Sequence, residues 1–112
     1  MARTKAQLRS MAGFIGAHGG LPVVPANTVA PSITGTATVG STLTAASGTW
    51  TGTPAPALTR QWRRAGVAIA GATGATYVLV SADLGSTITV TVSGINGTGF
   101  VSATSAATAT IT

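Results

Sequence analysis

Asp83 is the only acidic side chain in this 112-residue sequence, His18 is the only imidazole, and cysteine is absent. Side-chain catalysis needs a base, a nucleophile or a set of metal ligands held together, and this inventory supplies none of them. A glycosidase needs two carboxyl groups, which the count excludes. The many serines and threonines have no base to activate one of them. His18 lies among Gly16, Gly19 and Gly20 with no second imidazole or carboxylate near it, so it is read as a solvated or interface residue, and no metal site is expected. No glycine run leads into Lys-Ser or Lys-Thr, so a phosphate-binding loop is missing. The reading is non-enzymatic, with no catalytic residue, no metal and no cofactor.

The chemistry that remains is charge. Six Lys/Arg against one acid give a formal charge of +5. Arg3, Lys5 and Arg9 place +3 before residue 31, and Arg60, Arg63 and Arg64 less Asp83 place +2 after it. The excess favours acidic partners and should weaken with salt. Thr4 to Ala12 contains helix formers, with Leu8, Met11 and Ile15 spaced to share one face. So short a helix needs outside packing to persist. Gly13, Gly16, Gly19 and Gly20 then loosen the chain, and Leu21-Pro22-Val23-Val24-Pro25 stiffens it. Residues 1–30 therefore read as a basic arm: either a free terminus, or a docking peptide whose Arg3, Lys5 and Arg9 meet acidic groups while Leu8, Met11, Phe14, Ile15 and Leu21 bury against a neighbour. The glycines and His18 interrupt any signal-peptide core. No apolar stretch approaches the ~20 residues of a membrane-spanning helix.

From Pro31 the pattern becomes short strands between turn signals, the mark of a sandwich. Ile33 begins the first strand. A second carries Leu43 and Ala45 and closes at Gly48-Thr49-Trp50. Leu58 to Arg64 carries Trp62, the one large apolar anchor within an alternating run. Val67 to Ile69 forms a short strand after Gly66, and Thr76 to Val80 sets Tyr77 and Leu79 on one face. Ser81 to Gly85 makes a corner. Thr87 to Ser93 alternates cleanly, with Ile88, Val90 and Val92 inward. Asn96-Gly97 suits a tight hairpin, and a last strand runs from Ser102 to Thr112, its uncharged edge an aggregation hazard unless covered. The expected core is Leu43, Trp62, Tyr77, Leu79, Ile88, Val90 and Val92.

An ordered series of residues resembles one family: Val39-Gly40 with Leu43, Gly48-Thr49-Trp50, Gln61-Trp62 with Arg64 and Gly66, then Ile69, Gly71-Ala72-Thr73, Tyr77, Asp83-Leu84-Gly85, Ile88 and the Asn96-Gly97 turn. It is similar to the immunoglobulin-like modules of bacterial surface proteins and of tailed-bacteriophage structural proteins. The resemblance covers residues 31–112. It implies an all-β, immunoglobulin-like sandwich of about seven strands behind the arm. It also implies that Ala45 and Val90 stand where inter-sheet cysteines would be, so that Trp62 packs on aliphatic groups. Ile88 stands where a corner tyrosine would be. Arg64 and Asp83 recur in the family, and a structural ion pair between them is expected at one end of the sandwich. Arg60 shares the inward parity of Trp62, so it either reaches water past the sheet end or faces a partner.

A single module behind a basic, glycine-jointed arm suits a phage capsid decoration protein. Residues 1–30 would dock on the major capsid protein or another virion protein, the head would project from the capsid surface, and copies would associate on the lattice. Neither membrane insertion nor nucleic acid is expected, the latter because specific binders carry a broader basic face or stacking aromatics. The alternatives are a small tail or baseplate component, or an adhesion or carbohydrate-binding module using the loops Thr51 to Pro56 and Gly94 to Phe100, with Trp50 and Phe100 as a stacking platform.

Overall fold

The structure of the chain, a computed structural model, describes residues 21–112. The expectations for Arg3, Lys5, Leu8, Arg9, Met11, Phe14, Ile15 and His18 lie outside the described residues. The rest is all-β, with strands β1 (Val23–Val29), β2 (Ser32–Thr34), β3 (Thr42–Ala46), β4 (Thr49–Thr53), β5 (Ala57–Arg64), β6 (Val67–Ala68), β7 (Thr76–Val78), β8 (Ile88–Asn96) and β9 (Gly99–Thr104), and one 3-10 turn at Ser81–Asp83. No helix among the described residues is long and apolar enough to cross a membrane.

β1 pairs with β4, β3 lies between β2 and β7, and β5 lies between β6 and β8, which also holds β9; every pairing is antiparallel. The first two sets share one antiparallel register across an unpaired break. Thr34 faces Thr44 and Ser32 faces Ala46; past Ala30-Pro31 on one side and Ser47-Gly48 on the other, Val29 faces Thr49 and Val23 faces Thr53. Register slips mark bulges within it. Joined in this way β1 with β2 and β3 with β4, the nine strands form seven ladder members in two layers, a sandwich-like arrangement. The folded head therefore begins at Val23, not at Pro31. Alternation is faint in Val23-Val24-Pro25-Ala26-Asn27, and Pro25 with the preceding Pro22 conceals a strand whose partner supplies the pattern.

The main core joins Leu43, Ala45, Trp62, Leu79, Ile88, Val90 and Ile111, with Ile33, Ile69 and Tyr77 packed around it. Trp62 is fully buried, and its Nε1 donates to the Gly74 carbonyl at 2.9 Å. Its ring is not enclosed by aliphatic groups alone: Tyr77 stacks on it with centroids 5.7 Å apart. Val92 is also fully buried but lies outside that cluster, further along β8 toward Asn96, and Tyr77 is only half-buried. β7 stops at Val78, and Val80 precedes the 3-10 turn.

The last strand ends at Thr104, and residues 105–112 continue as an irregular tie between layers. Ser105 and Thr108 donate from their backbone N–H to Val90 and Ile88, Ile111 donates to Ser86, and Thr112 bonds both Ala37 and Val39. This tie buries Ile111 and fills part of the edge of β8. At the β8–β9 hairpin, Asn96 faces Gly99, so the central residues are Gly97 and Thr98, and Gly97 stays out of the left-handed region. The left-handed two-residue turn falls instead at Ala65-Gly66, with φ of 50° and 83° between the paired Arg64 and Val67.

Two backbone substitutions check this construction. A Cβ at Gly48, where φ is +81°, would meet the Val29 carbonyl at 2.0 Å. Gly48→Ala is expected to cost about 2–4 kcal/mol in denaturant unfolding, by strain and by parting β1 from β4. Ala65→Asn, which eases the left-handed position, is expected to add about 0.5–1 kcal/mol.

Candidate functional site

The lower end of the head is closed by a buried carboxylate. Asp83 is fully buried. Its Oδ1 accepts from Arg64 Nε at 2.6 Å, and its Oδ2 accepts from the Tyr77 hydroxyl and from the Val80 N–H, each at 2.8 Å. Arg64 Nη2 also reaches the Tyr77 hydroxyl at 3.4 Å. β5 delivers Arg64 at its last residue, β7 delivers Tyr77, and the 3-10 turn places Asp83 where a third-position acid can reach back to the N–H before the turn. The structure thus brings Arg64 and Asp83 together as a structural latch, with Tyr77 as a third member that sequence reading assigned only to the core.

Burial on its own would push the Asp83 carboxyl up. The Val80 N–H, the Arg64 guanidinium and the Tyr77 hydroxyl outweigh it and hold the group below its ordinary value. Tyr77 is raised, by burial first and then by donating to Asp83. The hydrogen bond to Asp83 raises Arg64. Both oxygens of the carboxylate are engaged by donors held in the fold, and the cluster ties β5, β7 and the 3-10 turn together.

The upper end is organised by Asn96, whose signal in the sequence indicated only a turn. Its Nδ2 donates to the Val23 carbonyl at 2.8 Å and to the Pro54 carbonyl at 3.0 Å. Its Oδ1 accepts from Thr98 N–H, Thr98 Oγ1 and Gly99 N–H at 2.9, 2.6 and 3.1 Å. One amide therefore ties the incoming chain, the β4–β5 loop and the β8–β9 hairpin. Pro25 is buried in this layer, and Val24 lies against Gly99. Leu21, Val23, Val24, Ile95 and Phe100 are each at least half exposed around the same end. No charged residue of the described chain belongs to that group.

Trp50 and Phe100 do not share a platform. Trp50 is half-buried, donates from Nε1 to the Ser47 carbonyl at 2.8 Å, and sets its ring so close to Gly94 that a Cβ there would fall 2.8 Å from it. Phe100 stands on the outer face opposite Ile95. No group of three potential metal ligands occurs among the described residues. Comparison with family models, with curated proteins and with solved structures returned no match for this chain.

The latch predicts a pH profile. The Asp83 pKa is lowered in the fold, so its contribution is complete above the unfolded carboxylate value of about 3.9 and is lost as pH falls through the folded value. The Tyr77 pKa is raised, so its contribution is complete below about pH 10 and is lost above it. Thermal unfolding followed by circular dichroism should show a plateau between those limits. Asp83→Asn should lose about 3 kcal/mol at neutral pH and flatten the acid limb; a variant as stable as the parent would remove the latch from the account.

Proposed function

We propose that the chain is a non-enzymatic structural protein of a bacteriophage particle, a capsid decoration protein whose basic leading segment fastens an immunoglobulin-like head to the major capsid protein. The observation that carries this reading is the way the chain enters the head. Asn96 pins β1 by the Val23 carbonyl, so the segment bearing Arg3, Lys5 and Arg9 joins the fold at an uncharged end ringed by exposed apolar groups. A positive segment leading to an apolar, charge-free contact surface suits a protein partner with acidic groups beside an apolar recess. The latch lies at the opposite end, which would face outward. Many copies on a symmetrical shell make modest single-site affinity sufficient.

The resemblance of residues 31–112 to phage immunoglobulin-like modules supports the setting, and the seven-member two-layer arrangement is compatible with it. A tail or baseplate position would use the same arm. The adhesion reading loses its two-ring platform, because Trp50 is spent on Gly94.

The test compares the full chain with a head comprising residues 21–112, added to purified shells that lack the protein. The cut belongs before Leu21, because removal through residue 30 would strip β1 from β4. The shortened head is expected to melt as the parent does and to lose shell binding by about a hundredfold or more. Equal binding by the two chains would overturn the assignment of attachment to the arm, and failure of the full chain to bind any shell would overturn the decoration role.

A further inference from the structure

We infer that the open edge of β5 at Leu58 and Arg60 is a docking site for an extended segment of another protein that carries a carboxylate. Three observations place it there. The first is backbone direction. Trp62 donates its N–H to Ala72 and accepts from Ile69, both on the side of β5 away from β8. In an antiparallel ladder, alternate residues point the same way, so the N–H and C=O groups of Leu58 and Arg60 point to that side too. β6 reaches only Arg63 and Arg64, the chain from Ala72 turns away toward β3, where Ala75 accepts from Ala45, and among the described residues no backbone partner meets Leu58 or Arg60 at that edge. Unpaired strand edges of this kind recruit extended chains.

The second observation is Arg60 itself. Its Nε is buried and has no hydrogen-bond partner among the described residues, although guanidinium groups carry donors only and a buried donor left unpaired is costly. A carboxylate is the acceptor that a guanidinium fits best. The third is space. A groove of about 490 Å³ lies over this part of β5, lined by Leu58, Thr59, Arg60, Gln61 and Thr73 and reaching across the sheet face to Thr91 and Ser93 of β8. Gln61 closes it at one end, with its Nε2 on the carbonyls of Trp62 and Ile69, both at 2.8 Å.

The occupant is a different protein, not a second copy. Asp83 is the only acidic side chain of the sequence, and it is fully buried in its own latch. A copy of this head has no acidic side chain to bring to Arg60. An added strand would bond Leu58 and Arg60 through its backbone and place one Asp or Glu against the guanidinium, so the docking segment should alternate β-branched residues around a single acid. The site lies on the flank of the sandwich, on β5, running from Leu58 opposite Gly94 away from the Asn96 end, and does not depend on how the arm is fastened.

The experiment selects binders to the full chain from a library of short random peptides and then measures amide hydrogen exchange of the chain with and without the selected peptide. The expected result is a set of alternating sequences sharing one acidic position, with exchange at the Leu58 and Arg60 amides slowed about tenfold or more. Arg60→Leu should weaken these peptides by about tenfold or more and abolish the preference for the acid. It should also melt no lower than the parent, since it removes an unpaired buried donor. A library that yields no binder, or binders that protect other amides and tolerate Arg60→Leu, would overturn the site. Neither result bears on attachment through residues 1–20, which the truncated head tests separately.

Discussion

The fold depends on one polar atom at the centre of its apolar core, the indole nitrogen of Trp62. Burying a tryptophan removes a large apolar surface from water, but the N–H must find an acceptor or much of that gain is lost. Gly74 provides the acceptor, and it does so from a segment that also gives Trp62 its backbone partners through Ile69 and Ala72. Gln61 adds its amide to the carbonyls of Ile69 and Ala72 in that segment. That segment then crosses to the other layer, where Ala75 meets Ala45. The core anchor and the crossover between layers are one cooperative unit.

From the indole, a line of contacts runs to the lower end. Tyr77 stacks on Trp62 and passes its hydroxyl to Asp83, which holds Arg64, the residue two places beyond Trp62 on the same face of β5. The upper end has no such line and relies on Asn96, a neutral amide with both its nitrogen and its oxygen engaged. The two ends differ in their sensitivity to acid for this reason. Asn96 does not titrate, whereas Asp83 does, so acid loosens the head at the end away from the point where the chain comes in.

Alternation made two strands legible, β5 through Trp62 and β8 through Ile and Val set against Thr, and the core residues Leu43, Trp62, Leu79, Ile88 and Val90 follow because each face of a half-buried strand repeats every second residue. The pair Arg64 and Asp83 was legible from resemblance and from scarcity, since a lone acid has few partners to choose among. β1 was not legible. Pro25, the preceding Pro22 and its exposed valines read as a stiff linker, and only the antiparallel partner across Gly48 makes it a strand. Ile111 was read as part of a strand edge and is core, because residues 105–112 tie the two layers instead of extending a ladder. Asn96 carried a turn signal, but its bonds to Val23 and Pro54 join residues distant in sequence, and no local pattern encodes them.

The outer face of the β5, β8 and β9 layer shows how so weakly charged a head keeps its surface polar. Ser93 pairs with Ser102 and Thr91 with Thr104 through their hydroxyls, and Arg63 Nε donates to Thr91 at 3.0 Å. Hydroxyl ladders of this kind hydrate a sheet without creating a long-range field, which leaves the +3 of Arg3, Lys5 and Arg9 as the larger share of the net charge. Under the two proposals the chain then has two kinds of contact. One, at the leading segment, is charge-driven and screened beyond about 8–10 Å at ordinary salt. The other, at Leu58 and Arg60, is directed by backbone hydrogen bonds at short range, where salt has little hold. A molecule built in this way can be drawn to an acidic surface by its leading segment and aligned on it by its β5 edge, with neither step requiring charge on the face that water sees.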